Sequence, residues 1–131
     1  MGFLIAFGTD DGEHLNNDHV GMAKYFHVYD FADAEHKLVE RRTNTSFTGD
    51  ESIKHGDPEK ARATSSVLHN VDVLVGKKFG PNLPRLLRRF ACVLVRTDSL
   101  AVAVDTVRRN MERIAEEAHK GEDRKHIVLR P

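Results

Sequence analysis

Apolar residues fall in short continuous runs early in the chain and on helical faces later. Phe3 to Phe7 is unbroken apolar sequence ending at Gly8, the pattern of a strand buried on both faces. Thr9 to Asp18 is polar and turn-rich, a loop. Ala23 to Phe31 is aromatic and β-branched and predicts a second strand. Phe26 and Val28 then share one face, and Tyr25, His27 and Tyr29 the other. A turn at Asp33-Ala34-Glu35 leads into a third strand, His36 to Arg42, charged enough to be an exposed edge. Thr43 to Asp57 has no periodicity and is the longest loop.

Asp57-Pro58 is a helix start, with Asp as N-cap and Pro at the first helical position, and the helix should run to about Asn70. Val71 to Val75 predicts a short buried strand ending at Gly76. Asn82 reads as the cap of a second helix, in which Leu83, Leu86, Leu87 and Phe90 keep helical spacing. Cys92 to Val95 is another buried strand. From Ser99, residues Leu100, Val104, Val107, Met111, Ile114 and Ala118 trace one face of a single long helix, with Gly121 past its end. Ile127-Val128-Leu129 either add a short strand or stay loose. The order βββαβαβα predicts an α/β fold. A three-strand meander is extended in parallel by right-handed crossovers, giving a mixed sheet with helices on its faces.

The chain has 131 residues, which allows one domain. Lys+Arg number 20 and Asp+Glu number 20, and the pI is near 7.1. That balance argues against a dedicated nucleic-acid or acidic-lipid binder. One cysteine, Cys92, excludes an intrachain disulfide and a four-cysteine zinc or iron–sulfur site within one chain. Cys92 itself reads as a small buried hydrophobe. No apolar run approaches the ~20 residues of a membrane span, and no basic segment precedes the opening run, so a cytoplasmic, membrane-free protein is expected.

With the first strand antiparallel to the second and parallel to the fourth, four segments share one sheet edge. These are Gly8 to His19, Thr43 to Asp57, Gly76 to Asn82, and Arg96 to Ser99. Ligands of open α/β sheets favour the carboxyl ends of parallel strands. His14, His19 and His55 belong to that edge; His36, His69 and His119 belong to the other, and Cys92 points away. The loop Gly76-Lys77-Lys78-Phe79-Gly80-Pro81-Asn82 reads in two ways. It is a cradle for an anion, with close backbone, two lysines and a helix N-terminus, or it is a βα turn using Gly and Pro for geometry alone. His14 and His19 are candidate imidazole ligands for iron, copper, zinc or nickel, or else plain loop histidines; His55 is weaker still. Asp10-Asp11-Gly12 favours a turn over a hard-cation site. Lys24 projects near His19, either toward a ligand or into water.

Together these residues resemble a known family. Asp18-His19-Val20-Gly21-Met22-Ala23-Lys24-Tyr25-Phe26 is similar to an "HFGRA-x-x-F" element. Val71-Asp72-Val73-Leu74-Val75-Gly76-Lys77-Lys78-Phe79-Gly80-Pro81-Asn82 is similar to a "DVVI-x-GG-x-G-x-x" segment. The family is the dinitrogenase iron–molybdenum cofactor biosynthesis family, the NifX/NafY-like domains. The resemblance spans about residues 3–118. It implies a three-layer α/β/α ribonuclease H-like motif with a five-stranded mixed sheet of order 3-2-1-4-5. It implies a domain over 1–119 with 120–131 as a C-terminal extension.

It further implies non-enzymatic binding or carriage of an iron–molybdenum cofactor, its precursor or a related anionic metal–sulfur cluster. The partners would be the cluster and a protein that donates or accepts it. The family histidine carries over to His19 and the glycine-rich segment to Gly76 and Gly80. Lys24, Lys77, Lys78 and Asn82 complete the expected cofactor-binding set, with His14 and His55 as further metal ligands. Val20 and Met22 depart from the usual Phe and Arg, and Lys77-Lys78 from a usual Gly and small residue. Those departures motivate an alternative, a partner-binding module without a cluster. A metal-dependent nuclease is a weaker alternative, because the first strand carries no acid.

Overall fold

The computed structural model describes residues 2–32, 35–44 and 58–131. His55, the capping Asp57, most of the long loop and the turn residues Asp33 and Ala34 lie outside the described residues.

The apolar run becomes β1 (Phe3–Thr9), and β2 (Tyr25–Ala32) and β3 (Glu35–Thr43) follow as an antiparallel meander. Helix α1 (Pro58–Val67) leads to β4 (Val73–Gly76), parallel to β1. Helix α2 (Leu83–Leu87) leads to β5 (Ala91–Val95), parallel to β4. Helices α3 (Leu100–Arg109) and α4 (Met111–Ala118) precede β6 (Ile127–Leu129), parallel to β5. Among the described residues the sheet has six strands in the order β3-β2-β1-β4-β5-β6, so the five-stranded expectation is corrected by one strand. Ile127 and Leu129 of β6 are buried against the core, which decides the open question about the tail.

Side chains alternate across the sheet as the pleat requires. Ile5 and Phe7 join Val73, Val75, Val93 and Val95 in a core with Leu100, Val104, Val107 and Ile114 of α3 and α4. Ala6, Phe26, Val28, Leu74 and Cys92 point to the other face, against Leu68 beyond α1 and Leu86 of α2. Helices therefore cover both faces. None among the described residues is long and apolar enough to cross a membrane.

Three local features depart from the expected pattern. The single long helix is two, because Asn110 (φ −119°) leaves helical geometry and its Nδ2 donates to the carbonyl of Thr106 at 2.7 Å. Side-chain amides compete with the backbone ladder in this way. α1 stops three residues early, since Asn70 takes a left-handed φ of 68°, a common helix-ending conformation for Asn. α2 is only five residues long, and the Asn82 side chain makes no capping hydrogen bond. Instead Asn82 Oδ1 accepts from Arg85 Nη1 at 3.5 Å.

The edge strand β3 is charged and bulged opposite Val28/Tyr29, two devices that discourage edge pairing. One of its charges is structural. Arg42, only 10% exposed at the side chain, donates from Nη1 to the carbonyls of Val67 at 2.9 Å and His69 at 2.7 Å. It thereby satisfies groups at the end of α1 that would otherwise lack partners. Arg124 does the same for α4 and α2, through Ala118 O and Leu87 O, both at 3.0 Å.

Candidate functional site

The carboxyl ends of β1, β4 and β5 gather three loops. The segment after β1 is stitched to the turn after β5: Leu15 N donates to Asp98 O and Leu100 N to Glu13 O, each at 2.9 Å. It is stitched to the loop after β4 by Val20 N donating to Lys78 O at 2.9 Å. Two amides hold the turn that carries His19. Asn16 Nδ2 donates to Asp18 O and His19 O at 3.0 Å, and Asn44 Nδ2 to Gly21 O and Ala23 O at 2.8 Å.

The two glycines of the β4–α2 loop are filled by this turn rather than left open. A Cβ at Gly76 would lie 2.8 Å from Val20 Cβ. A Cβ at Gly80 would fall 2.7 Å from His19 Cε1 and closer still to Nδ1. Gly76 thus seats Val20, and Gly80 seats the imidazole. The nearest occupant of this loop's glycines is the protein itself.

His19 lines a cavity of about 20 Å³ with Lys60, Thr64, Gly80, Asn82 and Leu86. Burial, and then Lys78 and Lys60, hold its pKa below the ordinary histidine value, while Asp18 opposes them. The ring is therefore neutral at pH 7, the form that ligates metals. Lys60 is 4% exposed, its Nζ touches Met22 Sδ, and burial lowers its pKa against the opposing field of Asp18. Lys78 is exposed.

Lys60 was not among the sequence candidates. The signal was there: Lys60, Thr64 and Leu68 repeat at helical spacing, so the face that buries Leu68 carries Lys60 inward. Lys24 is exposed at the same end, its backbone N–H donating to Asp10 Oδ1 at 2.9 Å.

His14 and Lys77 are placed elsewhere. They line a separate depression of about 330 Å³ with Asp10, Asp11, Asn17 and Asp98. Lys77 Nζ donates to Asn17 Oδ1 and Asp98 Oδ1 at 2.5 Å, so its charge is committed to the fold. Asp11 Oδ1 accepts from Glu13 N and His14 N at 2.8 Å, the geometry of a turn. Its Oδ2 meets His14 Nδ1 at 2.6 Å. The structure therefore does not bring His14 and His19 into one ligand set. Among the described residues no three His, Cys, Asp or Glu side chains converge to hold a metal ion. Cys92 is buried on the α1–α2 face, and burial pushes its thiol up to about 12.

The His14–Asp11 pair carries a pH prediction. The hydrogen bond to Asp11 raises the His14 pKa and holds that of Asp11 far below the usual carboxylate range. A raised histidine pKa contributes stability that is complete below about 6.5 and is lost as pH rises through the folded value. The depressed Asp11 contribution is lost instead at the acid end. Because the pair is exposed, added salt shrinks the effect. An NMR titration of the ring should give a His14 midpoint above about 6.5 that falls toward it in Asp11→Asn. Equal midpoints in the two proteins would refute the pairing.

The sequence of residues 1–121 matches a family model described as dinitrogenase iron-molybdenum cofactor. No curated protein matches the chain.

Proposed function

Because the chain belongs to the dinitrogenase iron–molybdenum cofactor family, we propose that it carries an anionic metal–sulfur cluster as cargo at its His19 edge, without chemical turnover. The cluster would be the iron–molybdenum cofactor, its precursor or a relative. One observation supports this most: a neutral, half-buried imidazole is held over Gly80 with Lys60 and Lys78 close enough to lower its pKa.

The residues fit such a cargo in charge and in donor type. Imidazole nitrogen binds iron, and two cations favour an anion. The cavity of about 20 Å³ has room for about one water. A cluster would therefore cap the ring from outside, on one protein ligand, which suits delivery better than permanent storage. Gly76, Gly80 and Asn82 act by shaping the seat, and Lys24 and Lys78 by attracting the charge. On this reading Lys77 and His14 serve the neighbouring loop. We read the sheet and its two helical layers as the ribonuclease H-like motif over 1–119, with 120–131 closing one sheet edge.

A nuclease reading has less support. β1 carries no carboxylate, Asp11 holds a turn, and Asp10 accepts from the Lys24 amide.

The test is anaerobic purification without chelators, followed by incubation with ferrous iron, sulfide and molybdate. Iron, molybdenum, copper and sulfide are then measured in wild type and His19→Ala. Wild type should retain cargo that the variant retains at least about tenfold less. Since His19 titrates below the ordinary value, retention should persist as pH falls to about 6.5. Equal loading of the two proteins, or none in either, would overturn the proposal.

A further inference from the structure

A second feature lies on the α1–α2 face. A groove of about 460 Å³ is lined by Arg62 and Ser65 of α1, by Arg85 of α2, by Arg88 and Arg89 just after it, and by Glu122. Four guanidinium groups face one carboxylate in a chain whose formal charge is zero. Arg62, Arg88 and Arg89 are exposed, and none makes a side-chain hydrogen bond or ion pair among the described residues.

Several other basic side chains have partners within the fold. Arg108 and Arg109 share Asp105, Lys77 holds Asp98, and Arg42 and Arg124 hold helix ends. Among the described residues Arg62, Arg88 and Arg89 hold nothing of the fold, and their crowding with Arg85 opposes it.

We infer that this groove docks an acidic segment of a partner protein, a run of Asp and Glu side chains on a helix or loop. Guanidinium forks match carboxylates in paired hydrogen bonds. Arg62, Arg88 and Arg89 are exposed and spread over α1 and the turn after α2, so the groove suits an extended surface rather than one small anion. The chain as a whole carries no net positive charge, which disfavours a nucleic-acid backbone as the occupant.

Ala61 lines both this groove and the His19 cavity, so a docked segment would lie next to the ring. That the partner gives or receives the cluster rests on the reading above; the charge argument does not.

The experiment measures fluorescence anisotropy of a labelled, Glu-rich peptide against wild type, Arg88→Ala/Arg89→Ala, and a control of equal charge loss on β3, Lys37→Ala/Arg41→Ala. Far-UV circular dichroism checks that each is folded. At low salt the groove variant should bind about tenfold more weakly, with the control near wild type and all affinities falling as salt rises. No peptide binding, or equal loss in the control, would overturn the inference. So would tighter, groove-dependent binding of an oligonucleotide of the same charge, or full competition by inorganic phosphate at equal charge concentration.

His19→Ala and the metal content of the groove variant separate the two proposals. Peptide binding intact in His19→Ala, with no cluster in any protein, sinks carriage and leaves docking standing. Cluster loading with no peptide binding does the reverse.

Discussion

Gly80→Ala is expected to leave the fold intact and to expel His19 from its seat. Gly80 has no left-handed φ, so its backbone accepts alanine. The obstruction is the imidazole ring, whose Cγ would lie 2.8 Å from the new Cβ. The ring is half-buried and can rotate outward, so stability should change by less than about 1 kcal/mol. Metal retention should nonetheless fall toward that of His19→Ala, because the ring is no longer held in its seat beside Lys60. Metal content and the His19 ring resonance, read on the same sample, check this. Wild-type retention in Gly80→Ala beside a defective His19→Ala would show that the seat does not matter.

Gly76→Ala should do the opposite and damage the fold itself. Here the collision is with Val20 Cβ and Cγ2, both 2.8 Å away, at a residue that is 1% exposed. A β-branched side chain has no spare rotamer to offer. Either β4 or the His19 turn must shift its backbone, which costs about 2–3 kcal/mol. Thermal unfolding should move down by about 10 °C, and an unchanged Tm would show that the turn is not wedged against β4.

The contrast between the two glycines shows what the sequence carries. The apolar run Phe3 to Phe7 announced a central strand, and the loops that must follow β1, β4 and β5 placed His19, Lys78 and Gly80 at one end. Strand ends determine loop ends, so topology was readable. The occupants of the glycine loop were not, because a glycine shows that something approaches closely without saying what. Lys60 escaped notice because a lysine on a helix ordinarily belongs to water; only its spacing to Leu68 betrays it. Asp11 stands three residues before His14 and could have been recognised as its partner.

The break at Asn110 was invisible to periodicity, since the apolar face from Leu100 to Ile114 continues across it. Arg42 looked like one more solvent charge on an edge strand. Its use depends on where α1 ends, a tertiary fact that no local pattern records.

The amide pair Asn16 and Asn44 grips the His19 turn from both sides, through four carbonyls within 3.0 Å. The turn is consequently ordered when the chain folds, not when a guest arrives. Association then carries little of the entropic penalty of loop closure. On the proposed carriage, residence time would be set by the strength of the bond at the imidazole and by competition from a docked partner. Release would then run by exchange between ligands, with the backbone standing still.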